Sequence, residues 1–205
     1  MFCKYRCTGQ TCVCANRFYV QAGIAPSFTA KLTEKVKALR TGPGLDHNTT
    51  QGPLVNKAAV AKVQAHIADA TSKGAKIEVQ AADKGSNGFF HEPVVLSGVT
   101  QDMQVAREET FGPLAPIIVF QDEEEAISMA NDTEFGLAGY FFSKDASRVL
   151  RVARKLQVGM VGANTGKISA AEAPFGGVKE SGYGKEGSLY GLREYQVTKS
   201  ITIKA

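Results

Sequence analysis

All four cysteines of this 205-residue chain fall within its first fourteen positions, at Cys3, Cys7, Cys12 and Cys14. Three kinds of chemistry are open to such a cluster. Zinc binding fits poorly, because structural sites present two closely spaced cysteine pairs held apart by a longer stretch. Here the gaps are three, four and one residues, and no histidine lies nearby. Burial as small apolar side chains would account for Cys3 or Cys7. Nucleophilic attack suits Cys12, which follows the polar, Gly-containing "TGQT" that lets backbone N–H groups approach a reacting atom. Arg6, six residues earlier, would raise its thiolate fraction or hold an anionic substrate.

Two further stretches carry residue types suited to a ligand. In "REETFGPLAP" (107–116), two glutamates precede an aromatic and a rigid Gly-Pro turn. Glu-Glu before a strand is usually a solvated acidic patch. A carboxylate fixed beside that turn would also accept hydrogen bonds from a polyol such as ribose, with Phe111 offering a flat face to a ring. In "APFGGVKESGYGKEG" (173–187), Gly182, Gly184 and Gly187 match G-x-G-x-x-G literally. A dinucleotide fingerprint needs a hydrophobic strand directly before it and a helix directly after. "GGVKES" is no such strand, so these glycines are expected to make close turns around a pocket.

Alternating helical and strand-like patterns must position these segments. "RFYVQ" (17–21) has the composition of a buried strand. A helix opens at Pro26 with Phe28, Leu32, Val36 and Leu39 on one face, and a second runs from Asn56 to Ser72 with Val60, Val63 and Ile67 inward and Gly74 just past its end. Strands are expected at 76–80, 93–96, 115–120, 139–143 and 159–164, helices at 121–132 and 145–156, and an edge strand in the closing "KSITIKA". This order predicts an α/β fold, a mixed or parallel sheet flanked by helices, with the site on loops at strand ends. Hydrophobic residues make up 43% of the chain, enough for a sizeable core. A net charge of +4, spread among acidic residues, gives no nucleic-acid-binding stripe. No apolar run reaches the roughly 18 residues that span a bilayer, and the opening "MFCKYRCTGQ" does not pattern as a signal peptide. Cysteines clustered rather than distributed point to a reducing compartment.

In this order, "GQTC", "EETFGP" and "PFGGVKESG" resemble the aldehyde dehydrogenase superfamily, and the resemblance covers nearly the whole chain from Lys4 onward. More narrowly, "KYRCTGQTCVCANRFYVQ", "NDTEFGLAGYFFSKD" and "APFGGVKESGYGKEGSLYG" are similar to the members that oxidise succinate semialdehyde to succinate in GABA breakdown. The resemblance implies an α/β catalytic domain and an NAD- or NADP-dependent oxidation. Cys12 matches the nucleophile, whose thiohemiacetal gives up hydride and whose thioester water then hydrolyses, with the Cys12 N–H in the oxyanion hole. Glu109 matches the residue holding the nicotinamide ribose and Phe111 the aromatic beside it. Arg6 and Ser169 match positions that bind the far carboxylate of the substrate. Phe175 matches a pocket aromatic, and Cys14 a neighbour that in some members forms a reversible disulfide with the nucleophile. No metal is implied.

The match begins just before the nucleophile, which makes this look like the C-terminal portion of such an enzyme. Residues 1–190 are expected to form a partial catalytic domain with returning cofactor-domain elements, and 191–205 an oligomerisation segment. The N-terminal dinucleotide-binding domain is missing, and with it the glutamate that activates water and an oxyanion-hole asparagine. The resemblance further implies a homo-oligomer, dimer or tetramer, in the cytoplasm or mitochondrion, with no nucleic-acid or membrane partner. Cys7 stands where the family usually has Asn or a similar polar residue, and no role follows for it. Two other classes remain: an assembly fragment that pairs with full-length subunits, and a thiol redox or metal module.

Overall fold

A computed structural model of the chain describes residues 1–80 and 88–204. The chain divides into two units, Met1–Asp132 and Thr133–Ala205.

The first unit is a mixed four-stranded sheet with helices on both faces. Its strands are β1 (Phe18–Gln21), β2 (Lys76–Gln80), β3 (Val94–Ser97) and β4 (Leu114–Phe120), in the order β1-β4-β3-β2. β1 and β3 both lie parallel to β4, and β2 runs antiparallel to β3. The sequence "LAPIIVF" of β4 is apolar without alternation because the strand is central and covered on both faces. Pro116 is tolerated there because β4 pairs with β3 over Leu114–Pro116 and with β1 from Ile117 onward, so the missing N–H falls where one ladder hands over to the other.

Period-two alternation sorts the strand residues between two cores. Val94, Leu96, Leu114 and Ile118 pack with Val63, Ile67 and Ala70 of α3 (Lys57–Ser72). Val20, Val95, Ala115 and Ile117 pack with Leu32 and Val36 of α2 (Ala25–Lys37). The expected stripes are the faces used, Phe28 and Leu39 lying partly buried at the edge of the second cluster. α3 starts where Asn56 Oδ1 accepts from Ala59 N at 2.9 Å. It ends with Gly74 at φ +97 and the paired bonds Gly74 N to Thr71 O and Ala75 N to Ala70 O, a Schellman motif. Short α1 (Phe2–Tyr5) and α4 (Gln104–Arg107), and α5 (Glu123–Asn131), complete the unit. α5 is capped by Asp122, which accepts from Glu125 N, and its last carbonyls accept from the Arg17 guanidinium.

In the second unit β6 (Ala138–Phe141) and β7 (Met160–Ala163) pair in parallel across α6 (Ala146–Lys155), a βαβ unit. β5 (Phe135–Gly136) and β8 (Val178–Lys179) form a short antiparallel pair, and α7 (Ser188–Gly191) is a single turn. The edge strand expected in "KSITIKA" does not form: 196–204 is irregular, with Val197, Ile201 and Ile203 exposed. Alternation shows that a segment could present two faces, but a strand exists only when a neighbour takes up its N–H and C=O groups. Among the described residues, no helix is long and apolar enough to cross a membrane.

Candidate active site

The cysteine segment is a rigid, partly strained turn. α1 sends Tyr5 into the interior, where its hydroxyl donates to Val94 O at 3.1 Å. Cys7 and Thr8 then adopt left-handed backbone, φ 50 and 58, conformations that cost an L-residue roughly 1–2 kcal/mol each. Surrounding bonds hold them there. Gln51 Nε2 donates to Tyr5 O, Thr8 Oγ1 to Gly52 O, and Gln10 Nε2 to both Cys7 O and Pro53 O, while Gln10 Oε1 accepts from Val55 N. Beyond Gly9 a turn closes with Cys14 N on Thr11 O at 2.9 Å. Val13 is buried and Cys12 exposed, so the turn anchors one side chain and presents the neighbouring thiol.

Cys14 is half-buried, its sulfur 2.7 Å from Thr11 Oγ1 and 3.7 Å from Arg6 O. All four cysteines are free thiols. The Arg6 guanidinium lies over the Phe2 ring, 5.2 Å from its centroid.

The second loop is fastened to the first. A Cβ on Gly9, at φ +78, would stand 2.1 Å from Gly112 O, so only glycine lets the two backbones approach this closely. Asn16 adds a two-armed clamp. Its Nδ2 donates to Glu108 O at 2.9 Å and its Oδ1 accepts from Thr110 N at 3.0 Å. Phe111 is left-handed at φ 51 and its ring is exposed. Glu109 is also exposed, and among the described residues its carboxylate makes no hydrogen bond or ion pair. Thr110 points the other way, 2% exposed, into contact with His66 of α3. Arg6, Cys12, Cys14, Glu109 and Phe111 thus sit on two fastened loops. Both loops precede parallel strands, β1 and β4, rather than following them as doubly wound sheets usually arrange.

Lys4 was not singled out in the sequence, yet it is 2% exposed beneath these loops. Burial brings its amine down to about 8, against the opposing pull of Cys14 and Glu109. His66 and Asn16 were missed too. A lone His on a helix and an Asn near a strand have no sequence signature, although the i, i+3 spacing of His66 from Val63 placed it next to the buried stripe.

In the second unit Ser169 and Phe175 line one open depression together with Ala171 and Glu186. Phe175 and Glu186 exchange backbone hydrogen bonds of 2.8 and 2.7 Å. The glycines do allow close turns, since a Cβ on Gly176 would stand 2.6 Å from Gly184 O. The literal G-x-G-x-x-G lies between a two-residue strand and a single helical turn, not the long elements a dinucleotide fingerprint needs. Among the described residues no group of three or more His, Cys, Asp or Glu is placed to hold a metal.

Fold and loops define an α/β protein with an outward thiol beside a carboxylate-bearing turn. The aldehyde dehydrogenase family model matches residues 1–201, and the chain belongs to that family. It is 56% identical over 200 residues to glutarate-semialdehyde dehydrogenase of Pseudomonas putida, covering 98% of this chain and 41% of that one. It is 54% identical to mitochondrial succinate-semialdehyde dehydrogenase of Rattus norvegicus, covering 98% of this chain and 39% of the relative. Among solved structures, succinate-semialdehyde dehydrogenase from Burkholderia pseudomallei superposes with a TM-score of 0.92 at 55% identity, over 94% of this chain and 40% of that one. The chain therefore spans about two-fifths of the length of its curated relatives.

Proposed function

We propose that these residues are the thiol-bearing part of an NAD- or NADP-dependent dehydrogenase acting on a short aldehyde with a distal anion, succinate semialdehyde first. The observation that carries this reading is Cys12, exposed on a turn whose backbone is held by Gln10 and fastened, through Glu108, Thr110 and Gly112, to the loop that bears Glu109 and Phe111. The Cys12 thiolate attacks the aldehyde carbon, its C–S bond forming as the carbonyl oxygen takes the negative charge. The backbone N–H of Cys12 stabilises that oxygen. Collapse of the adduct expels hydride, which the nicotinamide accepts when bound, and leaves a thioester. Water cleaves the thioester, releasing carboxylate and returning the thiol.

The residues present fit the nicotinamide end of the cofactor. Glu109 offers an exposed carboxylate to ribose hydroxyls and Phe111 an exposed ring to a flat heterocycle, while Thr110 between them is anchored inward. Arg6 would take the distal anion, with Ser169 and Phe175 supplying further substrate contacts, and Cys14 would serve as redox partner of Cys12. Relatives named for glutarate semialdehyde, succinate semialdehyde and 3-sulfolactaldehyde share an anion far from the aldehyde, which favours an arginine in this role. In this reading 1–190 is catalytic-domain chain, 191–205 joins subunits in a homo-oligomer, and the partner is a small aldehyde.

Alkylation mapped by mass spectrometry tests the reading without cofactor. Cys12 is expected to react with iodoacetamide, and succinate semialdehyde to protect it better than butanal. Arg6→Ala is expected to abolish that preference, a loss of about tenfold for one charge-assisted contact. Equal protection by both aldehydes in the parent chain would remove Arg6 from the pocket, and no protection by either would remove Cys12 as nucleophile.

A further inference from the structure

His66 has no part in the chemistry above, yet it is 1% exposed and spends both ring nitrogens on the loop that carries Glu109. Its Nδ1 lies 3.1 Å from Thr110 Oγ1, and its Nε2 lies 3.4 Å from Glu108 Oε2. The carboxylate can only accept, so Nε2 carries the ring proton. Nδ1 is then bare, and the Thr110 hydroxyl donates to it. From the opposite side Asn16 holds Glu108 O and Thr110 N.

We propose that His66 and Asn16 form a clamp that positions the Glu108–Phe111 loop, His66 fixing it to α3 and Asn16 fixing it to the turn that bears Cys12. The chain between two exposed working side chains, Glu109 and Phe111, is held by the one residue between them. The clamp on Thr110, with the Gly9–Gly112 approach on the other side, is what holds Phe111 in its left-handed backbone. His66 is a positioning residue, since it touches neither thiol nor substrate. The clamp's relevance to cofactor rests on the assignment of Glu109 and Phe111 to the nicotinamide ribose; the clamp itself does not.

The neutral ring is the one the site requires. Burial lowers the pKa of His66, with the Glu108 carboxylate from the loop and Asp69 on its own helix opposing, and Lys62 assisting. A second ring proton would turn Nδ1 into a donor facing a buried hydroxyl that already has its own hydrogen to place.

The test uses the nitrogen-15-labelled 205-residue chain and the amide of Thr110, which is bonded to Asn16 Oδ1. His66→Leu and Thr110→Val, which removes the hydroxyl with little change of shape, are expected to speed exchange of that amide about tenfold. The Ala75 amide, bonded to Ala70 O at the end of the His66 helix, is expected to stay within about twofold of the parent chain, and Thr110→Ser to restore protection. Thr110→Val keeps the test alive should His66→Leu fail to fold. Ring nitrogen shifts near about pH 7.5 are expected to show a bare Nδ1. Unchanged Thr110 exchange in both variants, exchange rising in step with Ala75, or a protonated Nδ1 would each overturn the clamp. Titration with nicotinamide mononucleotide separates the two ideas. Faster Thr110 exchange in the variants, with no response of Glu109 and Phe111 to the mononucleotide in the parent, upholds the clamp and discards the ribose assignment.

Discussion

A lysine amine enclosed under the cysteine-bearing turn is unusual enough to govern how the chain responds to alkali. Lys4 ionises near 8 in the fold against an ordinary 10.5. Between those values the unfolded chain holds a proton that the folded one has released, so stability rises with pH across that window. Below about 8 the amine is charged in both states and the full penalty applies, on the order of 3 kcal/mol. Tyr5 works in the opposite sense: burial raises its pKa, and stability falls once the unfolded phenol ionises above its ordinary 10.0. Urea midpoints are therefore expected to climb from pH 8 toward 10 and then turn down. Lys4→Met is expected to flatten the climb and to be the more stable chain near neutrality; a parent midpoint that falls between pH 8 and 10 would contradict this. None of it was legible in "FCKYRC", since charge and spacing say nothing of which way a one-turn helix aims its third side chain. Cys12 could be singled out as a candidate because residue type and the polar, Gly-containing stretch before it are local features, and the structure leaves it an exposed free thiol.

Elements long enough to show an apolar period were legible, and the shortest ones were not. α2 and α3 carry i, i+4 apolar stripes, α2 with Pro26 in its first turn and α3 between the Asn56 cap and Gly74, and the structure uses those faces. α1 is a single helical turn and β5 and β8 are two residues each, too short to repeat a helical or strand period. The strand expected at the C-terminus failed for another reason, since pairing is a property of two segments and the pattern describes one. The touching loops offer a clear experiment at this scale. Gly9→Ala is expected to cost about 2–4 kcal/mol in chemical denaturation, because it forces a side chain both into left-handed backbone and against Gly112 O. Gly44→Ala, whose Cβ would meet nothing within 4 Å, is expected to stay within about 0.5 kcal/mol. Comparable losses from both changes would show that loop contact is not what Gly9 provides.

For the whole molecule, the fold class came through in the sequence because alternating helix and strand patterns constrain topology strongly. The order β1-β4-β3-β2 did not, because it depends on which edges meet across 99 residues, Phe18 facing Ile117. Activity is likewise a whole-molecule property. Glu109 and Phe111 would grip only the nicotinamide end, and the glycine-rich segment lacks the flanking elements of a phosphate loop. The 205 residues tested by themselves are accordingly expected to reduce NAD or NADP with succinate semialdehyde slowly or not at all, as followed at the reduced-nicotinamide band. Vigorous reduction would show that these units hold a complete cofactor. One practical result follows from the strained turn. It leaves Cys7 and Cys12 open to solvent a few residues apart, whereas Cys3 and Cys14 are partly shielded. Storage in air will therefore attack the outward pair first, and a preparation handled without reductant can keep its fold while losing the thiol proposed as the nucleophile.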